Sequence, residues 1–266
     1  MSEPILYLVA TPIGNLGDLS PRAREVLSSV DFIAAEDTRV TQKLLTACGL
    51  PRKPMISYYE HNRRARGEEV LAKLLAGETC ALVTDAGTPA VSDPGEDLVA
   101  LCAEQGVPVV PVPGCCAAVC ALAASGLPTG RWCFEGFLSV NKKARREHLD
   151  ALQGEKRTMI FYEAPHKLCA TLRDLAEAFG GERRISLSRE LTKLHEETLR
   201  MTLAEAAAYF GRAANSSSLS RARRMNRRPN RTNRHASPLL PLPSGGAWRT
   251  GRRKKTQSRR YPLRPA

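Results

Sequence analysis

The sequence predicts an α/β protein of two domains followed by a disordered basic tail. Three observations carry that prediction. Short β-rich runs alternate with helical stretches along the first part of the chain; the alternation pauses once, at SGLPTGR (residues 125–131), and resumes; and all apolar periodicity stops at Gly211. Strands alternating with helices of about 10–15 residues indicate βαβ units and a mostly parallel sheet.

In chain order, residues 5–10, 31–35, 54–57, 80–84 and 108–112 are expected as strands of the first domain, residues 1–125. Between them, Ser20 caps a helix whose first residue is Pro21, a position where the missing amide hydrogen costs nothing. Helices are expected over 38–48, 62–76 and 94–105, each followed by a glycine (Gly49, Gly77, Gly106) suited to the left-handed C′ position. The second domain, 126–210, opens with a strand at 132–138 and a basic loop at 141–146. Strands at 158–162 and 184–188 follow, with a helix over 165–179 that ends in Gly180-Gly181. Thr202 and Glu205 have the spacing of a capping box for a helix running to Phe210.

Composition narrows the class. The chain has 266 residues, of which 42% are hydrophobic, enough for a real core. It lacks the run of about 18 apolar residues a membrane span requires. The start, MSEPILYLVATPIGNL, has no basic segment ahead of its apolar stretch, so it reads as a strand and not as a signal peptide; a cytoplasmic protein without membrane association is expected. Eight cysteines form no CxxC pair, so no metal site is expected and most of them serve as small hydrophobes. Net charge is +13, but residues 211–266 hold 16 of the 40 Lys and Arg and no Asp or Glu, which leaves residues 1–210 at about −3. The overall basicity is therefore no argument for a nucleic-acid partner of the body.

Candidate chemistry clusters just after the strands. In open α/β sheets ligands bind outside the carboxyl ends of strands, and TPIGNLGD (11–18), DAGTPAVSDPG (85–95) and PGCCA (113–117) fall there in the first domain. A denser polar group follows other strands: Glu36-Asp37-Thr38-Arg39, then Tyr162-Glu163-Ala164-Pro165-His166, then Arg189-Glu190-Leu191-Thr192-Lys193. Any one of these could be an N-cap or a surface ion pair; all three at equivalent places point to a site. No GxGxxG follows the first strand, and neither a P-loop nor a GxSxG elbow exists, which argues against dehydrogenases, NTPases and hydrolases.

LYLVATPIGNLGD, AAEDTR, ALVTDAGTPAVSDPG, FEGFL, TMIFYEAPH and SRELTK, in this order between about Leu6 and Phe210, resemble the bacterial rRNA small-subunit methyltransferase I family of the tetrapyrrole-methylase superfamily. The resemblance implies a two-domain tetrapyrrole-methylase-like fold with S-adenosylmethionine, the methyl donor, in the cleft between domains, and no metal. It implies methylation of a cytidine ribose 2′-oxygen in small-subunit rRNA, the 30S particle as partner, and a homodimer. The cofactor residues would be Pro12, Asp85, Ala86, Gly87, Thr88, Pro89, Ser92, Cys116, Ala117, Tyr162 and Glu163. Glu36, Asp37, Glu190 and Lys193 would be the candidate bases or orienting groups, with Arg39 and Arg189 suited to hold a phosphate or carboxylate. Where the family has Pro-Gly-Pro, this chain has Pro113-Gly114-Cys115. RNA contacts by the body would use Arg63, Arg64 and Arg66, and Lys142, Lys143, Arg145 and Arg146.

After Phe210 the chain departs from the family, whose members continue with a strand and a helical C-terminus. The Arg-, Pro- and Ser-rich tail, residues 211–266, reads like coding sequence translated in the wrong frame; a genuine basic RNA-binding arm is the competing interpretation. Two other functions stand beside the first: carbon methylation of a tetrapyrrole, and an inactive copy that only binds RNA.

Overall fold

A computed structural model describes residues 3–215 and the backbone of residues 237–241. The first domain is a five-stranded parallel sheet of β1 (Leu6–Val9), β2 (Phe32–Ala35), β3 (Met55–Ser57), β4 (Cys80–Val83) and β5 (Val109–Val112), in the order β3-β2-β4-β1-β5. β2 and β4 are buried along their whole length, as a sheet covered on both faces requires. The chain steps from β1 to β2 to β3 through α1 (Pro21–Ser29) and α2 (Thr38–Ala47) in one direction. It then returns through α3 (Arg63–Leu75) and α4 (Glu96–Glu104) to β4 and β5 in the other. Because such crossovers are right-handed, the reversal puts the helices on opposite faces. Ala23, Val26, Leu27 and Leu45 of α1 and α2 pack on Ile33, Ala81 and Val83; Val70, Leu74, Leu98 and Cys102 of α3 and α4 pack on Phe32, Ala34 and Leu82.

The second sheet is mixed: β6 (Trp132–Phe137), β7 (Thr158–Glu163), β8 (Arg184–Arg189), β9 (Glu197–Thr202) and β10 (Ser237–Pro241), in the order β6-β7-β10-β8-β9. β10 is antiparallel to both neighbours, so β7 and β8 run the same way and end on the same edge as β6. One face is covered by α6 (Lys142–Ala151), α7 (Leu168–Phe179) and α8 (Leu203–Asn215), with Leu149, Leu172, Leu175, Leu203 and Phe210 at the centre. The other face is covered by α5 (Ala117–Ser125), through Ala118, Ala121 and Leu122 against Ile160. The division expected after residue 125 coincides with the end of α5 at Gly126, yet the buried side of α5 belongs to the second sheet. By packing, the chain passes from one domain to the other at PGCC.

Each strand expected from the sequence is present to within a residue or two, and the capping box forms as a reciprocal pair, Thr202 N donating to Glu205 Oε2 at 2.8 Å and Glu205 N to Thr202 Oγ1 at 3.2 Å. Two corrections follow. The stretch 141–146 is not a loop but the start of α6, capped by Asn141 Oδ1, which accepts from Lys143 N and Ala144 N. α5 and β9 were not expected; α5 is too uniformly apolar to show a stripe, and β9 is a strand without a fully buried residue. Beyond Phe210, α8 runs five residues further, and Ser237–Pro241 forms β10 in the place between β7 and β8. The rest of the tail lies outside the described residues. Among the described residues no helix is long and apolar enough to cross a membrane.

Candidate active site

The cleft lies where the carboxyl ends of β1, β4 and β5 meet those of β6, β7 and β8. It is an open cleft, with about 790 Å³ of space between its walls when the solvent at the mouth is included. The first-domain wall is Ile13, the backbone-rich run 86–88, Val91, Ser92 and Asp93, then Cys116 and Ala117; the second-domain wall is Phe137, Tyr162, Ser188 and the loop Arg189–Leu191 with Lys193.

Backbone bonds set the first wall. Thr11 and Gly87 exchange amide hydrogens for carbonyls at 2.9 and 3.1 Å, Thr11 Oγ1 donates to the Thr84 carbonyl at 3.1 Å, and Thr88 Oγ1 donates to the Cys115 carbonyl at 2.9 Å. The loops after β1, β4 and β5 are thus tied to one another. Gly95 closes the second of them at φ 147°, a conformation side chains avoid, and an added Cβ would lie 2.8 Å from Leu82 Cδ2.

The second wall is held as firmly. The Glu190–Lys193 turn is closed by Lys193 N donating to the Glu190 carbonyl at 3.0 Å, by Lys193 Nζ reaching Glu190 Oε1 at 3.3 Å, and by Thr192 N donating to Glu196 Oε2 at 2.6 Å. Arg189 Nε donates to Glu197 Oε2 at 2.5 Å. The Tyr162 hydroxyl accepts from Ala118 N at 3.0 Å, supplying α5 with the N-terminal cap that Cys116 does not give it. Burial, foremost, pushes that phenol up to about 12. Four non-glycine residues have positive φ among the described residues: Ala90, Ser92, Glu190 and Thr192, at 52–66°. They sit in the two loops that face each other across the cleft. Such backbone costs on the order of 1–3 kcal/mol per residue and collects at functional sites.

Behind the first wall, and reaching its surface at Asp93, lies an acidic group. Asp37 N donates to Asp85 Oδ1 at 3.2 Å and Asp85 N to Glu36 Oε2 at 3.3 Å. Burial, then the charges of Glu36 and Asp37, raise Asp85 to about 6; burial, then Glu36 and Asp85, raise Asp93 to about 7. At neutral pH the group therefore carries less negative charge than four carboxylates would suggest.

The expected site residues divide accordingly. Ala86, Gly87, Thr88, Ser92, Cys116, Ala117 and Tyr162 line the cleft, as do Glu190 and Lys193. Pro12, Asp85 and Pro89 stand behind the lining. Glu163 is corrected: it is only 4% exposed, and its carboxylate accepts from Ala164 N at 2.7 Å and from the Thr171 hydroxyl, so it is turned toward α7. Side chains alternate along a strand, so Tyr162 and Glu163 cannot both face the cleft. Glu36, Asp37 and Arg39 are not in the lining either. Asp37 caps α2 by accepting from Arg39 N at 2.8 Å, and it holds the Arg39 guanidinium at 2.6 and 3.0 Å, which lowers the carboxyl to about 2. Ile13, Val91, Asp93, Phe137 and Ser188 were missed as site residues. Asp93 lay within the loop already singled out, while nothing in the pattern of a strand marks Phe137 as its exposed last residue.

Comparison with known proteins agrees with this architecture. The family model for Tetrapyrrole (Corrin/Porphyrin) Methylases matches residues 5–207. A Synechocystis sp. protein named Ribosomal RNA small subunit methyltransferase I is 57% identical over 206 residues, 77% of this chain and 74% of that protein. A Vibrio cholerae protein of the same name is 51% identical over 202 residues, 76% and 70% of the two chains. Among solved structures, a cobalt precorrin-4 methyltransferase covers 90% of this chain and 95% of its own with a TM-score of 0.61 at 17% identity. The Thermus thermophilus uroporphyrin-III C-methyltransferase complexed with S-adenosyl homocysteine covers 88% and 96% with 0.56 at 18%. At those identities the solved structures share the fold alone.

Proposed function

Since the chain belongs to the ribosomal RNA small subunit methyltransferase I family of the tetrapyrrole methylases, we propose that it transfers a methyl group from S-adenosylmethionine to a cytidine ribose 2′-oxygen in small-subunit rRNA. The observation that carries this reading is the pairing of two strained loops across one cleft, 86–93 with its small side chains and exposed backbone, and 189–193 with its Glu190–Lys193 pair.

The residues fit the donor. Small side chains at Ala86, Gly87, Ser92 and Ala117 leave room for a nucleoside-sized ligand, and the raised acids Asp93 beside them and Asp85 behind suit a cation without fixing its charge strongly. When bound, S-adenosylmethionine supplies an already activated methyl carbon. The protein's share is then alignment and proton removal. In this reading Lys193 and Glu190, a polar pair in the cleft lining, serve the acceptor: the carboxylate would take or orient the hydroxyl proton, and the ammonium would hold the nearby phosphate. Glu36 and Asp37, occupied with the Asp85 backbone and with α2, serve the loop's shape instead.

The test is methyl transfer from labelled S-adenosylmethionine to 30S particles that lack the modification, with the modified nucleotide mapped afterwards. Label in a ribose 2′-O-methylcytidine is the expected result. Label on a base carbon or nitrogen, or on uroporphyrinogen and not on RNA, would sink the proposal. The same reading carries a cytoplasmic location and a homodimer, the latter checked by a solution mass near twice 29.1 kDa.

A further inference from the structure

The two rims of the cleft differ in charge. Of the first-domain acids only Asp93 lines the cleft; Glu36, Asp37 and Asp85 lie behind it and Asp37 is paired with Arg39, so that side offers a polyanion no free cation at the lining. On the second-domain side, β6 ends at Phe137, and α6 begins five residues later with Lys142 and Lys143 and no acid in its first turn. Lys142 makes no ion pair among the described residues, and Lys143 reaches only Glu147 Oε1, at 3.9 Å. Positive side chains at the positive end of a helix are unfavourable unless an anion is near. The end amides are not the attraction, because Asn141 Oδ1 already accepts from Lys143 N and Ala144 N; the side-chain charges are.

Phe137 is the second observation. It is 50% exposed at the cleft, although its ring is braced edge-on against Tyr162 with centroids 5.6 Å apart. A supported ring left half open beside a basic helix end is the arrangement by which single-stranded RNA is held, bases stacking on aromatics and phosphates on Lys and Arg.

We propose that the RNA enters over the second-domain rim, with Phe137 stacking on a base next to the reacting ribose and Lys142 and Lys143 holding the flanking phosphates. This rests on the RNA reading of the cleft and names its docking surface.

The experiment compares the full chain with Lys142→Glu/Lys143→Glu, Phe137→Ala and Phe137→Tyr. Binding to 30S particles is measured across a salt series, and S-adenosylmethionine affinity by calorimetry. The double lysine variant should lose roughly tenfold or more in 30S affinity, and its slope of log affinity against log salt should flatten by about 2. Phe137→Ala should lose roughly tenfold to a hundredfold, Phe137→Tyr should restore most of it, and donor affinity should stay unchanged in the double lysine variant. Parent-like 30S affinity and slope in the variants would overturn the proposal. So would a Phe137→Ala protein that loses donor binding instead, since the ring would then belong to the donor's pocket. Binding is the readout, so a parent that binds particles but transfers no methyl group overturns the proposed reaction while the variants still decide the docking surface.

Discussion

A Cβ built on Gly14 would sit 2.6 Å from Cγ of Lys193, 2.8 Å from Oγ1 of Thr192 and 3.0 Å from the Leu191 carbonyl oxygen. One of these is backbone, so a longer side chain cannot be accommodated by a rotamer change alone. Gly14→Ala should therefore push the 190–193 turn outward, costing about 1–3 kcal/mol of stability as overpacking does. It should also lower kcat/KM for 30S methylation by roughly tenfold to a hundredfold, because small displacements of a positioned group are costly. An alanine variant with the parent's kcat/KM would remove the turn from the reaction. Asp93 makes a separate residue-scale prediction. Its folded-state value, raised to about 7 against an ordinary 3.8, means the native chain binds more protons than the unfolded chain across that interval. Stability contributed by this group therefore falls as pH rises from about 4 to 7 and is level above it. Asp93→Asn removes the penalty, so melting temperature should rise at pH 8 and change little at pH 4. An equal shift at both values would show that charge is not the cause.

At the scale of elements, legibility followed burial. Strands such as β2 and β4, apolar throughout, announce themselves by composition, and the capping box at Thr202 and Glu205 is a local signal that needs no tertiary context. Thr202→Ala should cost about 0.5–2 kcal/mol by thermal unfolding, because α8 contributes Leu203, Ala206 and Phe210 to the second core; no measurable loss would mean the box is redundant with packing. What was hidden is set by distant partners. α5 has no polar side to betray its orientation, and its cap comes from Tyr162, 44 residues away. Glu163 and Tyr162 are neighbours in one motif, yet the pleat sends them to opposite faces. β10 was illegible for a plainer reason: Pro238 and Pro241 lack the amide hydrogens a central strand donates. Deleting residues 237–241 should then destabilise the second sheet less than removal of an all-donor central strand would, by about one hydrogen bond's worth, roughly 0.5–1.5 kcal/mol, per proline.

Across the whole molecule, the cleft wall is shared. Ile13 and the 86–93 run come from one core, and Tyr162 and the 189–193 turn from the other, while α5 starts at the first domain's last loop and packs on the second sheet. A ligand bound between them must stabilise both cores, because either one unfolding destroys the site. At a donor concentration of about 100 times Kd this amounts to about 2.7 kcal/mol. Hydrogen exchange reports the two domains separately, through the buried strands β2 and β4 in the first and β7 and β8 in the second. With S-adenosylmethionine added, protection in both domains should rise together by the same amount. If only the first-domain protection rises, the donor rests on the loops after β1, β4 and β5 alone. The contacts of Tyr162 and the 190–193 turn would then serve the RNA, and the strain stored at Glu190 and Thr192 would be relieved on its arrival and not on the donor's.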